Sequence, residues 1–139
     1  MEIDRRKFIT LTGMSAAGLL LSLCTIGCKK DNADTDSQPV DFTLDLNATE
    51  NASLKNNGGS RVVNNTIVAR TTAGNYIAVA SKCTHQGTTV NFEANNNRFR
   101  CPNHGAVFST TGAVVNGPAS EPLTQYKTEL NGNNLRIFS

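Results

Sequence analysis

The chain has 139 residues, with 13 Lys and Arg against 11 Asp and Glu and an aromatic content of 6%. This length allows one small core, and downstream of Cys28 the count is 10 basic to 9 acidic residues. Because nucleic-acid binding needs a basic field to neutralise phosphates, this balance excludes nucleic acid as a partner.

The N-terminus has the features of an export signal. The Arg5-Arg6 pair precedes an apolar run of 18 residues from Ile9 to Ile26, and a twin arginine before such a run resembles a Tat signal. The Tat route carries proteins that have already folded around a cofactor. We therefore expect residues 1–27 to form an export signal. An apolar run of this length also fits an uncleaved transmembrane anchor, and that alternative stays open.

The end of the apolar run resembles a lipobox. In TIGC, the small Gly27 directly precedes Cys28, which cleavage would make the lipidated N-terminus. The stretch that follows is polar and lacks periodicity, which is typical of a flexible tether. We expect lipid on Cys28, a tether over residues 28–39 and a working domain over residues 40–139. The N-terminus thus predicts an exported, membrane-anchored protein of the bacterial cell envelope, on the periplasmic or outer-surface side.

Beyond residue 40 the hydrophobic pattern has the period of strands. VDFTLDL places its apolar side chains on one face, and the runs NTIVART and NYIAVAS, joined by a turn at Gly74, predict a hairpin. Further short strands are predicted at RFRC, AVFST, AVV, LTQYKTEL and NLRIF. No helical periodicity follows, and residues 47–60 are assigned as a loop. The pattern predicts an all-β domain, a small antiparallel sandwich or barrel.

Both histidines of the chain and two of its four cysteines lie in one window. Cys83 and His85 follow one predicted strand, Cys101 and His104 follow another, and 15 residues separate the pairs. Two thiolates and two imidazoles are a complete set of metal ligands, and loops allow such side chains to converge on one point. Zn²⁺ and a [2Fe–2S] cluster both use such ligands. A disulfide between the two cysteines is a further alternative.

The two motifs resemble the cluster-binding boxes of the Rieske family. CTHQG and CPNHGAVF match the boxes, GPASEPL (residues 117–123) resembles the loop that covers the cluster, and LTQYKTELNGNNLRIF resembles the closing hairpin. The resemblance implies a [2Fe–2S] cluster with Cys83 and Cys101 on one iron and His85 and His104 on the other. It also implies a β-sandwich or barrel of the Rieske type with two cluster-binding loops.

The same resemblance implies a shell of residues around the cluster: Gln86, Gly87, Gly105, Ala106, Phe108, Gly117 and Pro118. The glycines would let backbone N–H groups approach the bridging sulfides. High-potential members carry a serine and a tyrosine where this chain has Ala106 and Phe108. Since two hydroxyl donors are absent, we expect a potential in the lower part of the Rieske range, which runs from about −150 to +300 mV.

High-potential members also brace the two boxes with a disulfide. The matching positions in this chain hold Thr88 and Asn103, so that brace cannot form. The resemblance therefore points to the ferredoxin-type members of the family.

A Rieske domain transfers one electron and carries out no reaction on an organic substrate by itself. Ring-hydroxylating members add a mononuclear iron site with two histidines, and both histidines of this chain are already used. We expect an electron carrier or a redox subunit rather than a stand-alone enzyme, with no catalytic residue. As a carrier it would pass electrons between a donor and an acceptor that are redox proteins of the envelope. As a subunit it would belong to a complex that oxidises quinol or an inorganic substrate. A zinc-binding module without redox activity is a third alternative.

Overall fold

The computed structural model describes residues 39–139. The strands are β1 (Asp41–Asp45), β2 (Ser60–Val63), β3 (Thr66–Arg70), β4 (Tyr76–Ala80), β5 (Asn91–Glu93), β6 (Arg98–Arg100), β7 (Val107–Phe108), β8 (Val114–Asn116), β9 (Gln125–Asn131) and β10 (Asn134–Phe138). Two 3₁₀ helices, Thr49–Lys55 and Ala94–Asn96, complete the regular structure of this range. The predicted export signal, Cys28 and nearly all of the predicted tether lie outside the described residues.

The strands form two antiparallel sheets. The larger has the order β1-β10-β9-β4-β3-β2, and the smaller has the order β5-β6-β7-β8. The chain builds the small sheet between β4 and β9, two strands that pair with each other in the large sheet. The prediction of an all-β antiparallel domain is therefore confirmed. In the part of the chain described, no helix is long and apolar enough to cross a membrane.

Strands β3 and β4 form the predicted hairpin, and both of its faces are buried. Ile67 and Val79 point into a core shared with the small sheet, whereas Val68 and Ala78 pack into a second core on the opposite face. Because a strand covered on both sides has no solvent face, its apolar residues run consecutively instead of alternating.

A segment assigned as a loop closes the second core. Thr49–Lys55 is a 3₁₀ helix that buries Leu54 completely, and the side-chain amide of Asn51 donates to the carbonyl of Asp45 at 2.7 Å. The loop assignment for residues 47–60 is therefore wrong over half of its length. The segment is polar apart from a few apolar residues, and one buried leucine, Leu54, produces no hydrophobic periodicity that a sequence pattern could show.

The sequence did not predict β2 and β5, although Asn-rich turns precede or follow both strands. Asn64 and Asn65 join β2 to β3 with φ values of 48° and 57°, and Asn97 leads into β6 with a φ of 49°. Asparagine enters the left-handed region more readily than most residues with a side chain, and two such residues suit a tight hairpin turn. The interpretation of the Asn-rich pieces as turns agrees with these positions.

The closing hairpin β9–β10 brings the two ends of the described chain together. β10 pairs with β1, and Arg136 forms a bidentate ion pair with Asp41 at 2.9 and 2.7 Å. The hydrogen bonds from Arg136 lower the pKa of the Asp41 carboxyl below its ordinary value. Since both groups are exposed, backbone pairing holds this edge of the sheet, and the ion pair adds little.

Replacement of Leu54 by alanine tests whether the 3₁₀ helix closes the second core. Leu54 is completely buried with Leu44, Val68 and Ile137, so truncation leaves a cavity among them. We expect a loss of about 2–5 kcal/mol in the free energy of unfolding, measured by urea denaturation. Val115→Ala is the control, because Val115 is 63% exposed. A Leu54→Ala loss no larger than that of the control would contradict this role.

Candidate metal centre

The candidate ligands lie on two loops with the same backbone hydrogen bonds. In each loop the cysteine N–H, of Cys83 or of Cys101, donates at 2.8 Å to the carbonyl five residues later. The carbonyl of Cys83 accepts from the N–H of Gly87 at 2.8 Å, and that of Cys101 accepts from the N–H of Gly105 at 3.0 Å. The two loops therefore share one frame, although the histidine stands at the second position after cysteine in one and at the third in the other.

The glycines of this frame are required by backbone conformation. Gly87 and Gly105 have φ values of +71° and +74°, which side chains strongly disfavour. A Cβ atom at Gly87 would meet nothing within 4 Å, and one at Gly105 would meet nothing closer than 3.8 Å, so space is not the reason. The N–H groups of both glycines donate to cysteine carbonyls. The backbone N–H groups aimed at the sulfur atoms belong to neighbouring residues, including Asn103 and His104 beside Cys101.

The two cysteine thiols are buried and share a hydrogen bond. Each side chain is 2% exposed, and both cysteines are free, which does not support the disulfide alternative. Burial raises the pKa of Cys83 above its ordinary value, against two N–H groups of its own loop. Burial acts the same way on Cys101, but hydrogen bonds from the Asn103 and His104 N–H groups and from Cys83 outweigh it and lower the pKa. The N–H groups of Asn103 and His104 thus favour the thiolate form of Cys101.

The two imidazoles lie at the surface, whereas the two thiols are buried. His85 and His104 are exposed, with ring centroids 5.0 Å apart and ring planes at 82°. Nε2 of His104 lies 2.9 Å from Oε1 of Gln86. Because an amide oxygen can only accept, this contact favours the tautomer with the proton on Nε2, which leaves Nδ1 of His104 as the nitrogen to bind a metal.

The remaining predicted shell residues divide between the core and the surface. Ala106 and Phe108 are completely buried in the same core as Cys83 and Cys101. Gln86 and Gly87 are exposed on the first loop, and Gly105 is half-buried on the second. Gly117 and Pro118 are exposed, and the peptide bond between them is cis.

The loop of residues 117–123 is attached to the site through other residues. The hydroxyl of Thr84 donates to the carbonyl of Glu121 at 2.7 Å, which ties this loop to the first ligand loop. Ala119 and Leu123 are buried in the core that contains the cysteines. The sequence did not predict a role for Thr84 or Glu121. A threonine between Cys83 and His85 is visible in the sequence, but nothing local indicates a backbone partner so far along the chain.

A family model described as the Rieske [2Fe-2S] domain matches residues 37–127. The chain belongs to the Rieske family. The cofactor of this family is a [2Fe–2S] cluster, so the prediction of the cofactor is confirmed and the zinc alternative is set aside.

Curated Rieske relatives are similar to part of the chain. The cytochrome b6-f complex iron-sulfur subunit of Chlorobaculum thiosulfatiphilum is 41% identical over 64 residues, which cover 46% of this chain and 35% of the relative. The subunit of the same name from Synechococcus sp. (strain JA-3-3Ab) is 38% identical over 55 residues, covering 40% of this chain and 32% of the relative. The chain therefore spans about a third of the length of these relatives.

Two solved structures show the Rieske fold over a larger share of the chain. The plasma membrane Rieske protein PetC3 from Synechocystis PCC 6803 has a TM-score of 0.54 and 37% identity. The match covers 63% of this chain and 93% of the PetC3 chain. The ferredoxin of carbazole 1,9a-dioxygenase from Nocardioides aromaticivorans IC177 has a TM-score of 0.54 and 23% identity. The match covers 73% of this chain and 97% of the ferredoxin. The second likeness concerns the fold alone.

The donor set of this Rieske chain suits a group with two metals. Within residues 39–139, no three His, Cys, Asp or Glu side chains form a group that could hold one metal ion. The thiols instead pair with each other in the core, and the imidazoles pair with each other at the surface. Two pairs thus replace the expected convergence on one point. An inner thiol pair and an outer imidazole pair fit a cluster whose irons take different ligands.

Proposed function

We propose that this chain is a one-electron carrier of the cell envelope, with a Rieske-type cluster held in the two loops. The polarity of the site is the observation that supports this function. The thiols of Cys83 and Cys101 are 2% exposed, whereas the imidazoles of His85 and His104 lie at the surface. A site with one buried end and one exposed end allows electrons to pass through the exposed end to a docked protein.

Each ligand pair has a distinct part in this proposal. Cys83 and Cys101 hold one iron and His85 and His104 hold the other. The bound cluster supplies a reversible one-electron couple. The two neutral imidazoles leave less negative charge around the irons than two thiolates would, which makes the reduced state easier to reach. The core around the cysteines excludes water, and the exposed imidazole edges are left for a redox partner.

The surface beside His104 is suited to contact with a polar partner. An open hollow of about 440 Å³ lies next to His104 and is bordered by Asn91, Glu93 and Arg100. Nη1 of Arg100 lies 3.4 Å from Oε1 of Glu93, and half of the Arg100 side chain is exposed. Hydrogen bonds from Arg98 and other neighbours lower the pKa of Glu93, so this hollow carries charges of both signs. A redox protein with a mixed polar face could dock here.

The rest of the chain connects this domain to a membrane. We assign residues 40–139 to the Rieske domain, residues 28–39 to a flexible tether and residues 1–27 to an export signal. Lipid on Cys28 anchors the protein at the periplasmic or outer-surface side. The chain has 13 basic and 11 acidic residues. Because so small a basic excess cannot neutralise phosphates, we expect a protein partner rather than nucleic acid.

A second candidate function is a Rieske subunit of a complex that oxidises quinol or an inorganic substrate. The curated relatives favour it, because they are named as cytochrome b6-f complex iron-sulfur subunits and reach 41% identity. A quinol-oxidising subunit usually keeps a membrane helix. Cleavage before Cys28 would therefore favour the free carrier, and a retained apolar segment would favour the subunit.

The visible spectrum tests the cluster and its ligands. The purified wild type should be coloured and contain iron and sulfide in equal amounts, and His104→Ala should lose this spectrum because the iron loses one of its ligands. Gln125→Ala on the exposed face of β9 is the control and should keep the spectrum. A colourless wild type containing zinc would contradict the proposed function, and an unchanged spectrum in His104→Ala would remove His104 from the site.

Protein-film voltammetry tests the expected low potential. Ala106→Ser and Phe108→Tyr restore hydroxyl donors beside the sulfur atoms, and a charge-assisted hydrogen bond contributes about 1.5–3 kcal/mol. Since a tenfold change in a one-electron equilibrium is about 59 mV, we expect the double variant to gain about 100 mV or more. The Thr88 hydroxyl, which already donates to Cys101, is left in place in every variant. A wild-type potential near the top of the Rieske range would contradict this expectation.

Mass spectrometry of the mature protein tests the anchor. We expect the chain to begin at a lipid-modified Cys28, because Gly27 precedes it and a polar stretch follows it. Cys28→Ser should abolish the lipid and release the domain from membranes, whereas Cys24→Ser should do neither. Detection of the intact apolar segment in the mature wild type would contradict lipidation and favour the subunit of a membrane complex.

A further inference from the structure

Gln86 connects the two ligand loops through its side chain. Its Oε1 accepts a hydrogen bond from Nε2 of His104 at 2.9 Å and another from Nδ2 of Asn103 at 3.2 Å. Gln86 belongs to the first loop, and both donors belong to the second. Because Gln86 is exposed, core packing does not impose this contact. The contact depends on the amide oxygen itself.

This contact makes the two imidazoles inequivalent. The ring of His85 meets the ring of His104 edge to face, and within residues 39–139 it makes no side-chain hydrogen bond. The ring of His104, in contrast, is held by Gln86 through its outer nitrogen. One imidazole is therefore oriented by the protein, and the other is left to solvent or to a partner.

A hydrogen bond at the outer nitrogen of a ligand histidine has two consequences. It fixes the tautomer and the orientation of the ring, and it makes the inner nitrogen a stronger electron donor. A stronger donor stabilises the more positive, oxidised state of a metal. An acceptor at Nε2 of His104 should therefore lower the reduction potential of a cluster bound at Nδ1.

We propose that Gln86 is a positioning residue that aims Nδ1 of His104 at the cluster and lowers the reduction potential through the hydrogen bond at Nε2. This inference rests on the proposed function, because it requires His104 to be a ligand. In this proposal the amide oxygen of Gln86 connects the two ligand loops. The side chain of Asn103, on the second loop, donates a second hydrogen bond to the same oxygen.

Variants of Gln86 in the purified, cluster-loaded protein test the inference. Gln86→Leu removes the acceptor and should favour reduction about tenfold, which corresponds to about 59 mV upward for one electron. Gln86→Glu keeps an acceptor, adds negative charge and should shift the potential downward. Gln86→Met is a second variant without an amide oxygen and should match Gln86→Leu. Gln125→Leu makes the same change at an exposed position on β9 and should leave the potential unchanged.

Pulsed EPR of the reduced protein separates this role from a general loosening of the loops. With ¹⁵N-labelled histidine, Gln86→Leu should change the coupling of one histidine nitrogen and leave the other near its wild-type value. Equal changes at both nitrogens would assign the effect to loop disorder and overturn the inference. Loss of the cluster in both Gln86→Leu and Gln86→Met, with retention in Gln86→Glu, would support it, because these variants differ in the acceptor.

The outcomes distinguish the inference from the function on which it rests. A wild type without a [2Fe–2S] cluster would refute the proposed function before any variant is compared. A wild type with the cluster, together with a Gln86→Leu potential equal to that of Gln125→Leu, would refute the role of Gln86 alone.

Discussion

The rest of the structure depends on the burial of β3 and β4 on both faces. Ile67 and Val79 contribute to the core that contains both cysteines, and Val68 on the other face contributes to the core beneath the 3₁₀ helix. Because adjacent residues of one strand serve two cores, neither core can shift without the other. The first ligand loop follows the end of β4, so Cys83 lies three residues beyond a strand that is packed on both faces.

In each loop the two ligands are only two or three residues apart, yet the thiol is buried and the imidazole is exposed. The shared frame of hydrogen bonds does this by turning the backbone tightly around the cysteine carbonyl, and a glycine with positive φ ends the turn. Thr84 then attaches the loop of residues 117–123 to the first ligand loop. A low-polarity interior and an accessible edge thus lie next to each other on two loops.

The sequence predicted the parts of this protein whose signals are local. The β3–β4 hairpin, the closing hairpin and the four candidate ligands could be identified because each depends on neighbouring residues. The helix around Leu54 could not, because a single buried side chain in a polar segment has no period. The Thr84–Glu121 bond and the Gln86 contacts could not either, since they join loops that are distant in sequence and involve exposed polar residues.

The pairing of β1 with β10 has a consequence for how the protein can be extended. The N–H of Ser139 donates to the carbonyl of Val40 at 2.9 Å, so the chain enters and leaves the described domain at the same place. Any segment joined after Ser139 would start beside the proposed tether. A reporter or second domain fused there would begin beside Val40, where the chain enters the domain.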